Sequence, residues 1–499
     1  MANRVSATRA DGSRVEFIDR VRASGAMKDV YFSPGGDYVV ALFRGAPDPA
    51  LRERLELITA TYRERIFNQP GGDYWKKLFC WPTAVVEYQG RLGVTAPFYE
   101  ADFFFRHGSR DNDRLGIRGR EKEGKWYASP ANRNRYLDPR ELGNWMLHIK
   151  LCLQTARAVR RLHAAGLAHS DLSYKNVLVD PTTGRACLID IDGLVVPGKL
   201  PPDVVGTPDF IAPECVMTSH LAHGDPARKL PSIATDRHAL AVLIYLYLLQ
   251  RHPLRGDQVH DADDPRRDEE LAMGAKALFV EHPDNPANRI GTAHLQPFEL
   301  PWKDTARLPC QVTGPYLSEL FMRAFTAGLH DPAQRPSADE WEHALVKTVD
   351  LLQPCANSAC EQLWFVFDNQ TRPCCPFCKT PFSGTLPVLN LYSSRADGAF
   401  RPDGHRLMVY ANQSLYPWHV NRDVRPNERL RDEDKKRVGY FLYFDHAWYL
   451  INETLTGLAD ARTNIAIPPG GRVRLEDGTQ LLMSREPGGR LFVVQMAGG

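Results

Sequence analysis

Two aspartates and an asparagine near the middle of the chain have the residue types and spacing to do chemistry together. Asp171 and Asn176 lie five positions apart after a predicted helix, and Asp190 follows the second of two short apolar strands. Phosphoryl transfer requires oriented metal ions and a carboxylate beside the attacking hydroxyl. An aspartate base, an amide oxygen and a metal-binding carboxylate that converge from one hairpin meet this requirement. Each residue by itself could be an ordinary solvated turn residue, but the three together favour a phosphoryl-transfer site.

A cluster of cysteines forms the second chemical signal. Cys355 and Cys360 make one pair, Cys375 and Cys378 make another, and Cys374 is a spare or alternate ligand. Four thiolates at this spacing satisfy tetrahedral Zn²⁺ and leave no open coordination position, which predicts a structural zinc site. Disulfide pairing is the alternative, but the other five cysteines are scattered through the chain, as they are in reduced proteins.

The composition excludes several classes of protein. The chain has 499 residues, of which 43% are hydrophobic and 24% charged, with a net charge of +2. These values are typical of a soluble globular protein with more than one folding unit, and they give no electrostatic case for nucleic acid or a membrane. The apolar run 239–249 is too short to cross a bilayer and predicts a buried helix. Residues 1–19 lack the pattern of a signal peptide, so we expect a cytoplasmic protein.

Elements that would position the candidate residues follow from periodicity. The strands predicted in the first hundred residues are 15–18, 30–32, 38–43, 83–88 and 92–96. An apolar stripe predicts a helix over 51–66. Helices dominate from 142 to about 347, with clear examples at 147–163 and 341–352. The Arg/Asp-rich stretch 108–139 is predicted to be a surface insertion, and alternating residues after 384 predict an all-β region.

Three later segments complete a pattern that resembles the eukaryotic-type protein kinases over residues 14–350. GTPDFIAPE at 206–214 resembles the end of an activation segment, and DPAQRP at 331–336 resembles the late arginine motif. The resemblance implies a buried ion pair between Glu214 and Arg335 and a structural role for Asp236, which opens the apolar helix. It implies a bilobal α+β fold, with an N-lobe over 14–100 and a C-lobe over 101–350.

The nucleotide site departs from the kinase pattern. The strand at 39–43 lacks the usual lysine, whereas Lys28 takes the place of the last glycine of the glycine-rich loop. This arrangement resembles the with-no-lysine kinases, in which a neighbouring strand supplies the ammonium that binds phosphate. The resemblance implies Glu56, or alternatively Glu64, as the helix partner of Lys28. It places adenine at a hinge over 93–99, and it implies the following ATP-binding residues: Gly25, Lys28, Val30, Ala41, Glu56, Pro97, Phe98 and Tyr99.

The catalytic loop also departs from the pattern. Ser170 replaces the arginine that normally pairs with a phosphorylated activation loop, which suggests activity that does not wait for phosphorylation. The resemblance assigns Asp171 as base, Lys175 to the γ-phosphate, and Asn176 with Asp190 to Mg²⁺. Asp192 is the alternative metal ligand, because the motif is Asp-Ile-Asp-Gly rather than Asp-Phe-Gly.

Two further modules are expected after the kinase domain. Residues 353–383 resemble a zinc ribbon. Residues 385–499 are expected to form a β-sandwich, because Asn452-Glu453 and the segment 467–478 resemble the closing half of a forkhead-associated (FHA) domain. The phosphothreonine-binding segments of that family are not recognisable, so docking is favoured over phosphopeptide binding.

This order of modules resembles the kinases of bacterial tellurite-resistance-associated TerY-P triads. The resemblance implies a Mg-ATP-dependent serine/threonine protein kinase in a bacterial signalling system, with ATP, Mg²⁺ and Zn²⁺ as cofactors. It also implies protein substrates, and a von Willebrand A protein and a PP2C-type phosphatase as partners. Neither nucleic acid nor a membrane is expected as a partner, given the charge balance described above. The alternative is a pseudokinase scaffold that assembles partner proteins through its C-terminal modules.

Overall fold

The computed structural model describes residues 3–24, 27–45, 48–196, 206–222, 224–293, 295–300, 302, 309–367, 373–396 and 399–498. The chain divides into two compact units. The first contains residues 1–143, 150–307 and 320–342, and the second contains residues 144–149, 308–319 and 343–499.

An antiparallel sheet of seven strands forms the first part of the first unit. Its strands are β1 (Arg4–Arg9), β2 (Arg14–Ile18), β3 (Ala23–Ser24), β4 (Lys28–Phe32), β5 (Tyr38–Phe43), β6 (Ala84–Tyr88) and β7 (Arg91–Pro97). They lie in the order β2-β1-β6-β7-β5-β4-β3. The five predicted strands are confirmed, but the sheet begins with β1, before the predicted boundary at residue 14. Gln89 and Gly90 have φ of 49° and 72°, as the tight turn between β6 and β7 requires.

The predicted helix over 51–66 is interrupted by one wide turn. Its pieces are α1 (Pro49–Leu57), a π-helical turn (Ile58–Tyr62) and α2 (Arg63–Phe67). Four members of the predicted apolar stripe are buried nevertheless: Leu55, Ile58, Tyr62 and Ile66. Burial of this stripe against the sheet therefore persists across the irregular turn.

The remaining helices come after β7, except for the short first one between β5 and β6, and from residue 142 they dominate as the sequence predicts. In the described ranges they are α3 (Gly72–Lys76), α4 (Arg110–Asp113), α5 (Lys125–Ala128), α6 (Trp145–Ala164), α7 (Pro213–Met217), α8 (Ile233–Leu249), α9 (Pro265–Met273), α10 (Pro315–Phe325), α11 (Ala327–His330) and α12 (Ala338–Val349). The apolar run at 239–249 lies in α8, where all its side chains are buried. No helix in these ranges combines the length and apolar character needed to span a bilayer.

The prediction of a surface insertion over 108–139 holds for 110–120, where most residues are exposed, but it is wrong for the residues that follow. Tyr127 and Leu137 are fully buried, and the Lys122 side chain is only 1% exposed. The Lys122 ammonium lies 2.8 Å from an Asp180 carboxylate oxygen and 3.0 Å from Glu141. A buried ammonium requires such charged partners, and in the sequence Asp180 lies too far away for the pairing to be visible.

The second unit contains two antiparallel sheets that enclose an apolar core. Their strands are β12 (Leu386–Ala396), β13 (Ala399–Met408), β14 (Ser414–Leu415), β15 (Gly439–Phe444), β16 (Ala447–Asn452), β17 (Ala459–Asp460), β18 (Arg472–Leu475), β19 (Gln480–Leu482) and β20 (Arg490–Ala497). The first sheet has the order β13-β12-β20-β19-β17, and the second has the order β14-β15-β16-β18. Leu407 and Phe492 from the first sheet pack in one cluster with Phe441 and Leu450 from the second. The predicted all-β region is thus confirmed, with one short helix, α13 (Pro417–Val420).

A separate two-stranded ribbon in the second unit carries the cysteines. Its strands are β10 (Leu352–Pro354) and β11 (Trp364–Val366), which pair in antiparallel register.

Candidate active site and cysteine cluster

The loop after α6 places Asp171 and Asn176 side by side. It leads into the hairpin of β8 (Val177–Asp180) and β9 (Arg185–Leu188). The Asn176 side-chain amide donates to the Asp171 backbone carbonyl at 2.8 Å and to Asp171 Oδ2 at 3.0 Å. Thr207 donates to Asp171 Oδ1 from its backbone N–H at 2.7 Å and from its hydroxyl at 2.9 Å. Both carboxylate oxygens are therefore held in place before any substrate binds.

The buried side chain of Asp236 holds the start of this loop. Its side chain is 2% exposed and accepts the backbone N–H groups of His169 at 2.7 Å and of Ser170 at 3.2 Å. Ser170 has a φ of 68°, a conformation that a non-glycine residue adopts only when its surroundings enforce it. The Nε2 atom of His169 lies 2.9 Å from the carbonyl oxygen of Ile189, within hydrogen-bonding distance. The His169 side chain is buried, which is typical of a packing residue and not of a base.

Lys28 lies between two carboxylates of the loop after β9. Its ammonium is 2.5 Å from Asp190 Oδ1, and 2.8 and 2.7 Å from the two oxygens of Asp192. Burial by itself would lower the pKa of Lys28, but the charges of Asp192 and Asp190 raise it above its ordinary value, so the lysine is charged. The structure thus brings Lys28, Asp190 and Asp192 together from positions more than 160 residues apart.

The predicted partnership between Lys28 and Glu56 is wrong. Glu56 is exposed, as is the alternative Glu64, whereas Arg54 and Leu55 form the buried face of α1. The apolar stripe sets which residues face inward on both sides of the π-helical turn, and Glu56 and Glu64 lie off this stripe. An arginine therefore occupies the inner face where a glutamate was expected.

A cavity of about 520 Å³ lies beside these groups. Of the predicted ATP-binding residues, the following line it: Lys28, Val30, Ala41, Pro97, Phe98 and Tyr99. Gly25 lies outside the described residues, and Glu56 is not in the lining. The stretch 93–97 of the predicted hinge belongs to β7, so only Phe98 and Tyr99 follow the strand.

Several other cavity residues escaped the sequence analysis. Phe32, Phe104, Cys80 and Glu121 also line the cavity, and the rings of Phe98 and Phe104 stack with centroids 5.7 Å apart. No local motif marks these residues, because they come from four separate segments. Lys175, which the sequence assigns to the γ-phosphate, is exposed and lies outside the cavity lining.

The oxygen donors beside Lys28 fit a hard divalent cation. Asp190, Asp192 and Asn176 all line the cavity and offer carboxylate and amide oxygens, which Mg²⁺ prefers. Arg44 directly follows the strand that lacks the usual lysine, but it does not replace that lysine in the cavity, because it is not in the cavity lining and pairs with Asp29 at 2.7 Å.

Glu214 and Arg335 form the ion pair that the sequence predicts. The two guanidinium nitrogens of Arg335 donate to the two oxygens of Glu214 at 2.8 and 2.7 Å, and the Arg335 side chain is 1% exposed. The pair connects the start of α7 with the segment before α12.

The four paired cysteines converge in the second unit. Ligand atoms of Cys355, Cys360, Cys375 and Cys378 all lie within 4.8 Å of one another, and the closest sulfur pairs are 3.5 and 3.8 Å apart. Zn–S bonds of about 2.3 Å in a tetrahedron place sulfurs about 3.8 Å apart, so the thiol set fits Zn²⁺. Cys374 is exposed and lies outside this group.

Comparison with known proteins agrees with this geometry. The family described as Protein kinase domain matches residues 127–343. This segment is similar to protein kinase domains. The matched segment contains the catalytic loop, the two aspartates beside Lys28, and the Glu214–Arg335 pair. The match to the family confirms the protein kinase fold predicted from the sequence.

Similar proteins are kinases that share only part of this chain. A death-associated protein kinase of Caenorhabditis elegans is 35% identical over 107 residues, which are 21% of this chain and 7% of that protein. The serine/threonine-protein kinase PknA of Mycobacterium tuberculosis is 33% identical over 111 residues, which are 21% of this chain and 22% of that protein. A rhoptry kinase structure from Toxoplasma gondii has a TM-score of 0.40 at 14% identity, over 70% of this chain and 84% of that one. The chain thus spans less than a quarter of the length of these two curated relatives.

Proposed function

We propose that this protein is a serine/threonine protein kinase that transfers the γ-phosphate of Mg-ATP to protein hydroxyls. The observation that carries the proposal is the fixed Asp171 carboxylate at the edge of a cavity that Lys28 and two further carboxylates also line. The name of the mycobacterial relative, a serine/threonine-protein kinase, supports the same class.

Asp171 is assigned as the base. The attacking oxygen of a serine or threonine forms a bond to the γ-phosphorus, the bond to the β–γ bridging oxygen breaks, and ADP leaves. The hydroxyl proton passes to Asp171, whose orientation is maintained by Asn176 and Thr207. Such a positioned base contributes a factor of about 10² to 10⁴ in rate.

The phosphates are assigned to the cationic side of the cavity. Lys28 would bind the α- and β-phosphates, and Asn176 with Asp190 would hold Mg²⁺, which neutralises the charge that develops on the transferred group when it is bound. Lys175 would reach the γ-phosphate from its exposed position on the catalytic loop.

The segment around Asp209 supports activity without prior phosphorylation. Asp209 lies 2.5 Å from Arg255 and accepts a hydrogen bond from the Tyr174 hydroxyl at 3.2 Å. The Asp209 carboxylate, and not a phosphorylated side chain, therefore holds the segment that presents Thr207 to Asp171. Ser170 occupies the position of the arginine that would otherwise bind such a phosphate.

Incorporation of radiolabelled phosphate into a generic protein substrate tests the proposal. Wild type and the surface control Lys77→Met are expected to label the substrate, whereas Asp171→Asn lowers the rate at least 100-fold at saturating ATP. Lys28→Met is expected to weaken ATP binding. A wild-type protein that binds ATP without labelling any substrate or itself would refute the kinase proposal and favour the scaffold.

The C-terminal modules are assigned a structural and docking role. A zinc ribbon is supported by the sulfur separations in the cysteine cluster. An FHA-like sandwich is supported by Asn452, which is 1% exposed and donates to the carbonyls of Leu455 and Ile467 at 2.7 Å each. These contacts hold the turn that the resemblance singles out.

The cellular setting follows from the resemblance to TerY-P kinases. We assign the protein to a bacterial cytoplasmic signalling system, with a von Willebrand A protein and a PP2C-type phosphatase as partners. Mass spectrometry of proteins that co-purify with the full chain tests this assignment, and recovery of neither class of partner would contradict it.

A further inference from the structure

We propose that Asp192 is the positioning residue of Lys28 and takes the role that a helix glutamate was expected to fill. The inference rests on the proposed function, because it concerns how the phosphate-binding ammonium is held. It also separates the tasks of the two aspartates: Asp192 orients the lysine, and Asp190 remains available to a metal ion.

The two carboxylates differ in exposure and in their contacts. The Asp192 side chain is 5% exposed and contacts the Lys28 ammonium with both oxygens, at 2.7 and 2.8 Å. The Asp190 side chain is 45% exposed and contacts Lys28 through Oδ1 alone. A buried carboxylate that uses both oxygens on one ammonium fixes its position, whereas a half-exposed carboxylate with a second oxygen to offer can accept another cation.

The backbone supports this division of tasks. Asp192 lies within a short 3₁₀ turn, Ile191–Gly193, which presents its side chain to the interior. Asp190 caps this turn with a left-handed φ of 61°. The local strain at Asp190 and the buried ion pair at Asp192 both indicate a loop that is held in one conformation.

Helix α1 cannot supply the missing anion. Its inner face presents Leu51, which lines the cavity, and the buried Arg54, whereas Glu56 is exposed. With a cation on the helix, the carboxylate that compensates Lys28 has to come from elsewhere, and Asp192 provides it from the loop after β9. The buried carboxylate that pairs with Lys28 therefore comes from the loop after β9 and not from α1.

A double-mutant cycle on ATP affinity tests the inference, because nucleotide binding can be measured without turnover. Using the full chain and Mg-ATP, we expect Asp192→Asn and Lys28→Met each to weaken binding about tenfold. The double variant should be weakened less than twofold beyond Lys28→Met, because both changes remove the same contact. Asp190→Asn is the comparison variant: it also loses a contact with Lys28, so only the part of its effect that comes from metal binding should persist in the Lys28→Met background.

The dependence on magnesium distinguishes positioning from metal binding. Asp190→Asn is expected to raise the Mg²⁺ concentration for half-maximal ATP binding, whereas Asp192→Asn should leave it within twofold of wild type. Asp192→Glu, which retains the carboxylate, provides a second variant if Asn disturbs folding, and it should bind ATP more tightly than Asp192→Asn. A tenfold loss that persists in the Lys28→Met background, or a raised magnesium requirement in Asp192→Asn, would overturn the inference. Failure of the kinase proposal would appear separately, as absent phosphate transfer in a wild type that binds ATP.

Discussion

Replacing Glu214 by alanine should destabilise the first unit strongly, because it leaves the Arg335 guanidinium buried without its carboxylate. The loss of one partner of a buried ion pair costs about 3–5 kcal/mol. Arg335 keeps three other acceptors, the carbonyls of Gly328 at 2.8 Å, Ala234 at 3.0 Å and Leu329 at 3.1 Å. These contacts retain part of the compensation, so the expected loss lies at the lower end, about 3 kcal/mol in the free energy of unfolding.

Hydrogen exchange in the full chain measures this loss where it should occur. Amide protons of α8 are buried, and their exchange under native conditions reports the free energy of opening of the first unit. Glu270→Ala is the matched control, since its ion pair with Arg266 joins side chains that are 53% and 87% exposed, and its removal should not change exchange measurably. If Glu214→Ala lowered the free energy of opening at the α8 amides by less than about 1 kcal/mol, the conclusion that burial makes this ion pair important for stability would be refuted.

Three shorter predictions concern the metal, the pH dependence and the base. Metal analysis should find about one zinc ion per chain; Cys355→Ser should lose it, Cys374→Ser should keep it, and equal loss in both would contradict the ligand set. Burial lowers the pKa of His252 to about 4, so the folded state binds fewer protons than an unfolded histidine with a pKa of about 6.5, and stability falls as the pH drops between these values. Urea unfolding should show that the free energy of unfolding lost between pH 7 and pH 5 is about 2 kcal/mol smaller in His252→Gln than in wild type. An unchanged pH dependence would exclude His252 as its cause. Thr207→Val, which removes one hydroxyl donor to Asp171, should lower kcat about tenfold with little change in the KM for ATP, whereas a change confined to KM would argue against orientation of the base.

Local patterns made much of the fold predictable. The strand at 38–43 and the hairpin around Gln89-Gly90 follow from alternation and turn chemistry, and the helix containing 239–249 follows from an apolar run of helical length. The ion pair of Glu214 and Arg335 was accessible because both residues lie in motifs of recognisable order. These features depend on neighbouring residues or on short motifs, which sequence patterns represent directly.

Contacts between distant segments were less accessible. Glu56 was assigned by analogy with the kinase pattern, but it lies off the apolar stripe, which stays buried through the turn at 58–62, and its side chain is exposed. The buried Lys122 stood in a stretch of polar composition that resembled a surface loop, and only the approach of Glu141 and Asp180 accounts for its burial. Phe104 and Glu121 belong to the cavity solely through the path of the backbone.

The amino-acid sequence was sufficient to indicate a kinase domain, its candidate base and metal ligands, and four cysteines that could hold a metal ion, because each of these occurs in short motifs with defined spacing. Tertiary structure was required to show which acid faces Lys28, since the choice between Glu56, Asp190 and Asp192 depends on which side chain is buried against a lysine more than 160 residues away. Electrostatic pairing is decided by distance and desolvation in space, and neither quantity is carried by the order of residues along the chain.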